Sequence, residues 1–122
     1  MTCTYMINRA DEYKPNGYSF DEKMTWLYEL EHTIQTEIID THENPDEHAT
    51  TLVPGDTDGM KELVASDRES MYLFWLLSQI DLHNGDITRY NNDSALFNGE
   101  YSAYANEYNR RYMPRTGPKL RY

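Results

Sequence analysis

The chain reads as an all-α protein: a four-helix bundle-like domain with a short first helix and three long ones, a long loop over residues 43–65, and an extended C-terminal arm. Three observations predict this. Two Ser-x-x-Glu boxes, Ser19/Glu22 and Ser66/Glu69, stand just ahead of apolar runs of helical period. A further run, Ile87, Tyr90, Ser94, Phe97, Tyr101, Tyr104 and Tyr108, keeps a spacing of three and four residues throughout. The helix breakers fall in clusters between these runs: Pro15-Asn16-Gly17, Asn44-Pro45 with Pro54-Gly55 and Asp58-Gly59, Asn84-Gly85, and Pro114, Gly117 and Pro118.

The first helix is expected over about residues 4–13, with Met6, Ile7, Ala10 and Tyr13 at helical spacing and Lys14-Pro15 as its stop, because a residue before proline is pushed out of the helical region. The second is expected from about Asp21 to Thr41. In its capping box Ser19 and Glu22 each satisfy a backbone N–H, Asp21 and Glu22 suit the positive end of the helix dipole, and Met24, Leu27, Leu30, Ile34 and Ile38 form the inner face.

The third, about Asp67 to Asn84, repeats the capping box and is apolar nearly all round, which predicts a central helix covered by its neighbours; Gly85 suits the left-handed position past its end. The fourth, about residues 87–112, has Asp86 as its N-cap and should run for about 40 Å. Its link to the third is so short that the pair predicts an antiparallel hairpin. Gly99 inside it costs about 1 kcal/mol relative to alanine, which predicts the close approach of another backbone. The loop between the second and third helices is long for a compact domain and predicts a functional projection or an excursion.

With 122 residues the chain is one domain. The 21 acids and 11 bases give a net charge of −10, unevenly spread. Residues 110–122 hold Arg110, Arg111, Arg115, Lys119 and Arg121 and no acid, a charge of +5; residues 1–109 hold all the acids and a charge of −15. An overall basic surface for non-specific nucleic-acid binding is thereby excluded. The longest apolar run, Met71 to Leu77, is far short of the roughly 20 residues of a membrane span. No secretory signal pattern opens the chain, and Cys3 has no second cysteine to pair with.

No catalytic constellation is legible. His42, Glu43, Asp46, Glu47 and His48 resemble metal ligands by type, but Pro45 breaks the helix that would hold them, and the segment reads as a solvated acidic loop. Glu29 and His32 have the Glu-x-x-His spacing of di-iron bundles without a second copy. His83 reads as a cation at a helix C-terminus, and Cys3 as a thiol at a frayed end without an activating base. No nucleophile elbow or phosphate loop is present, so no enzyme, cofactor or metal is expected.

Tyr90, Phe97, Tyr101, Tyr104 and Tyr108 read as a core or subunit packing face rather than a base-stacking platform, since their surroundings are acidic. Eleven tyrosines in this length still point to interfaces, where an amphipathic ring is buried with its hydroxyl wet. Residues 1–112 are read as the helical domain and 113–122 as a basic arm. Its two prolines favour an extended form, which suits docking on an acidic partner.

Several stretches resemble small proteins encoded in tailed phages and prophages of Firmicutes. In the first half these are Lys14-Pro15-Asn16-Gly17-Tyr18-Ser19, Lys23 to Glu31 and Glu37 to His42. In the second they are Tyr72-Leu73-Phe74-Trp75-Leu76, Gln79 to Asp86, Arg89-Tyr90-Asn91-Asn92, Ala95-Leu96-Phe97-Asn98, Tyr101 to Ala105 and Tyr108 to Pro114. The likeness covers most of the chain. One departure is Leu63-Val64-Ala65-Ser66-Asp67, which has no proline where that family has one.

Size and helical layout are similar to head–tail connector (adaptor) proteins. The resemblance implies a ring of twelve copies below the portal, in the virion neck. It would close the DNA-filled head and dock the tail through a tail-side neck or stopper protein, having been made in the host cytoplasm. It also implies that the arm contacts the portal protein through Arg115, Lys119, Leu120, Arg121 and Tyr122, and that DNA passes the acidic lumen without specific contact. Two rival readings remain. One is an acidic DNA mimic or regulator bound to a host enzyme; the other is a helical metalloenzyme with metal near His42 and His48.

Overall fold

The computed structural model describes residues 1–47 and 49–114. The fold is all-α and bundle-like, with α1 at Cys3–Tyr13, α2 at Phe20–Glu37, α3 at Glu69–Asn84 and α4 at Ile87–Arg111. Short 3₁₀ turns occupy Ile39–Thr41 and Pro45–Glu47.

Helix α1 starts at Thr2, whose hydroxyl accepts the Tyr5 N–H at 3.1 Å, and ends at the extended Lys14 ahead of Pro15. Its inner face is Cys3, Met6, Ile7 and Ala10. Cys3 does not lie at a frayed end: it is fully buried. The long loop returns over the chain start, where the Cys3 N–H donates to the Lys61 carbonyl at 3.0 Å and the Leu63 N–H to the Met1 carbonyl at 3.0 Å. Burial, with Glu31 behind it, pushes the Cys3 thiol up to about 12. The loop is therefore a strap rather than a projection. Leu52, Leu63 and Ala65 are buried within it, and Asp56 organises its turn by accepting from the Val53 and Asp58 N–H groups and from Lys61 Nζ at 2.6 Å.

Helix α2 carries the capping box in both directions, Glu22 N–H to Ser19 Oγ at 3.1 Å and Ser19 N–H to Glu22 Oε1 at 3.2 Å. It stops at Glu37, four residues short of the expected Thr41, and tightens into the first 3₁₀ turn. The free carbonyls are satisfied locally, since Thr41 Oγ1 donates to the Ile38 carbonyl at 2.7 Å and the His42 N–H to Ile39 at 3.1 Å.

Helix α3 is central, packed by α1, α2 and α4. Its expected capping box does not form. The helix begins at Glu69 behind Arg68 with no side-chain cap, and the Glu69 carboxylate instead accepts from Tyr5 Oη and Arg9 Nε, each at 3.0 Å. Two partners on α1 outcompete one local N–H. Gly85 is left-handed (φ 78°), and Asp86 caps α4 by accepting the Arg89 N–H at 3.2 Å. The hairpin is antiparallel: Trp75 meets Phe97 with ring centroids 5.2 Å apart, and Arg68 meets Glu107 at 2.9 Å. Gly99 does not mark a close approach. It lies on the outer side of α4, with nothing within 4 Å of where a Cβ would stand.

Candidate assembly surface and the tyrosine cavity

The ladder of α4 faces inward. Tyr104 and Tyr108 are buried, and Tyr90, Phe97 and Tyr101 are half-buried. Tyr101 Oη donates to Glu37 at 2.7 Å, and Tyr108 packs on His42 with centroids 4.6 Å apart. Of the two readings of this face, the chain's own core accounts for Phe97, Tyr101, Tyr104 and Tyr108. The opposite face of α4, exposed at Asn91, Ala95, Asn98, Ser102 and Asn106, is uncharged.

His42 is not part of a solvated loop. It is buried, its Nε2 lies 2.7 Å from Asn109 Oδ1, and Nδ1 meets the Ile38 carbonyl. It joins the end of α2 to the end of α4. Sequence reasoning missed this because the partner lies on another helix. His83 does sit at the end of α3, with Nδ1 2.8 Å from the Gln79 carbonyl and its ring against Trp26 at 4.9 Å. His32 stacks on Tyr28 at 5.7 Å on exposed α2. Among the described residues no group of three or more His, Cys, Asp or Glu side chains converges as metal ligands. Among the same residues no helix is long and apolar enough to cross a membrane.

The exterior is acidic for a specific reason. All six lysines and arginines of residues 1–109 are paired with acids of the same fold: Arg9 with Glu69, Lys14 with Asp81, Lys23 with Asp11, Lys61 with Asp56, Arg68 with Glu107 and Arg89 with Asp86. Apart from buried Glu31, the surplus acids lie mostly at the surface. The exposed side of α2 and its extension shows Asp21, Thr25, Glu29, Thr36 and Asp40, and the following loop Glu43, Asp46 and Glu47.

The chain leaves α4 extended at Tyr112. Residues 113 and 114 lie against the end of α2, where the Glu43 N–H donates to the Met113 carbonyl at 3.0 Å and Pro114 pairs with His42. The expected portal contacts Arg115, Lys119, Leu120, Arg121 and Tyr122, and also His48, lie outside the described residues.

Three buried features were not legible as sites. Glu31 is fully buried, accepting the Val64 N–H at 2.9 Å and Tyr72 Oη at 2.7 Å. Burial pushes its carboxyl up to about 7 against those two hydrogen bonds. Its place between Leu30 and Ile34 on the inner face of α2 was the available signal. Asp81 is buried beside Lys14 and Asp93, and burial with the Asp81 contact pushes Asp93 up to about 6.

The third is a cavity of about 490 Å³ at the C-terminal end of α4, walled by Tyr104, Tyr108 and Tyr112 and edged by Glu47, Asp67 and Arg111. Its 64–65 wall is the segment that Glu31 and Tyr72 hold, since the Ala65 N–H donates to Tyr72 Oη at 3.0 Å. The 104-108-112 spacing continued past the ladder's end was the signal for it.

Comparison of the chain with protein-family models, curated proteins and solved structures finds no match.

Proposed function

We propose that this chain is a non-catalytic structural protein of a tailed-phage virion, a head–tail connector that forms a ring below the portal. The observation that carries the reading is the separation of charge. The cations of the helical body are neutralised within it, leaving an acidic exterior, while an uninterrupted basic segment follows α4. Acidic walls repel DNA phosphates, so a duplex slides past without being held, the reverse of a DNA-binding footprint. The basic segment suits an acidic surface on the portal protein. A ring needs two different faces on each copy. The uncharged outer side of α4 and the acidic side of α2 are two such faces.

The test is electron microscopy of the protein mixed with its portal, using the full chain and a chain ended after Pro114. The full chain should form a ring on the portal, and the shortened chain should fold yet fail to bind. A shortened chain that binds as well as the full one rejects the arm's role, and absence of the protein from the neck of intact particles rejects the connector.

The cation-free side of α2 also suits an acidic mimic of DNA seated in a host enzyme's basic groove. That reading expects a stable monomer or dimer and a dispensable tail.

A further inference from the structure

Asp81 carries an oxygen that the fold leaves over. Its side chain is 1% exposed in the last turn of α3, Lys14 at the end of α1 holds Oδ1, and Oδ2 is buried with no hydrogen-bond partner among the described residues. A buried acceptor without a donor is unfavourable, and more so when it is charged. The group beside it is a second acid, Asp93 of α4, half-buried and within hydrogen-bonding reach. Two ionised carboxylates repel, whereas a carboxylic acid donates a short, strong bond to a carboxylate. The other charged neighbour, Arg89, is largely exposed and turned to Asp86 at 3.5 Å. The pair lies next to the α3–α4 turn, where the Asp81 carbonyl takes the Asp86 N–H at 3.0 Å. There Lys14, Arg89 and Asp93 line a cavity of about 230 Å³ with Tyr13, Leu77 and Asn92.

We propose that a proton carried by Asp93 and donated to the free oxygen of Asp81 is a clasp that locks the first turns of α4 onto α3, and that giving it up releases that end of the hairpin. With the proton in place, Lys14 serves one oxygen of Asp81 and Asp93 the other, and the three side chains together are neutral. Without it, two negative charges face one lysine and the buried oxygen is left bare. Asp93 is the partner that can turn out to water, so α4 moves and α3 stays. Burial and the contact with Asp81 push Asp93 up to about 6 against the pull of Lys14 and Arg89, so the clasp is shut below that value and open above it. Its contribution to stability is whole below the ordinary aspartate value and is lost as pH rises through about 6. The inference concerns the helical body alone and does not rest on the connector reading.

The full chain, isotope-labelled at its aspartate carboxyl carbons and backbone amides, is followed by NMR from about pH 4 to about pH 8. The Asp93 carboxyl should titrate near 6, with the Asp81 carboxyl signal and the Gly85 and Asp93 amides moving in the same step. Glu31, pushed up to about 7, is the control, because it lies toward the other end of α3 and should move the Val64 amide instead. Asp93→Asn, whose side-chain N–H supplies a donor at every pH, should hold the Gly85 amide at its acid position throughout. Asp93→Ala, which supplies none, should hold it at its alkaline position. An Asp81 signal that ignores the Asp93 step, a Gly85 amide that stays still or follows Val64, or Asn and Ala variants that behave alike would each overturn the proposal. Should the alanine variant fail to fold, the joint movement of Asp81, Asp93 and Gly85 in the unaltered chain still decides.

Discussion

Glu31 and Tyr72 form the polar centre of this fold, the Tyr72 hydroxyl donating to the Glu31 carboxylate at 2.7 Å with both side chains fully buried. Together they hold two consecutive backbone N–H groups of the long loop, Val64 on Glu31 and Ala65 on Tyr72. One pair thus ties α2, α3 and the wall of the tyrosine cavity to each other.

A pH dependence follows from that burial. The Glu31 carboxyl goes from 4.5 in the unfolded chain to about 7 in the fold, so the native state binds the extra proton between those values. Stability should fall as pH rises through that window, by about 3 kcal/mol once Glu31 is ionised in the fold. The raised Asp93 acts in the same direction, while Asp56 and Glu107, lowered by Lys61 and Arg68, lose stability only under acid conditions. Urea denaturation followed from about pH 4.5 to about pH 8 should show the decline, and Glu31→Gln should flatten it.

Tyr72→Phe removes one hydroxyl and strands two buried groups, the Ala65 N–H and one Glu31 oxygen. The expected loss is about 2–4 kcal/mol in chemical denaturation. Tyr101→Phe, whose hydroxyl meets Glu37 at the surface, is the contrast and should cost about 1 kcal/mol or less.

Two glycines should respond in opposite ways. A Cβ at Gly59 would strike Thr4 Oγ1 and stand 2.6 Å from the Phe20 ring, at the point where the loop carbonyl of Gly59 takes the Thr4 N–H. Gly59→Ala should lower the thermal midpoint, at a cost of about 1–3 kcal/mol. Gly99→Ala meets nothing and should stabilise the helix by up to about 1 kcal/mol. A midpoint unchanged in the first variant would mean that the loop is not seated as described.

Lys14 is the cation that meets buried Asp81, with Asp93 close by. Lys14→Met leaves that carboxylate uncompensated and should destabilise the fold by about 3–5 kcal/mol near neutral pH. The loss should shrink on acidification as Asp93, raised to about 6, takes up a proton. A pH-independent loss would instead trace the effect to packing of the lysine stem.

Local sequence determined what local physics can carry. The period of the apolar residues placed four helices. The Ser19 box, the Asp86 cap, left-handed Gly85 and the proline after Lys14 set most of their ends, because each of those interactions spans four residues or fewer. The acidic body and basic tail are likewise properties of the chain itself. Tertiary structure decided everything that needed a partner far along the chain. Glu69 abandoned its box for Tyr5 and Arg9, His42 went into the core beside Asn109, Cys3 was covered by the returning loop, and Glu31 found its donors on residues 64 and 72. A polar side chain takes whichever partner the packed helices bring within about 3 Å, and no spacing in the sequence encodes that distance.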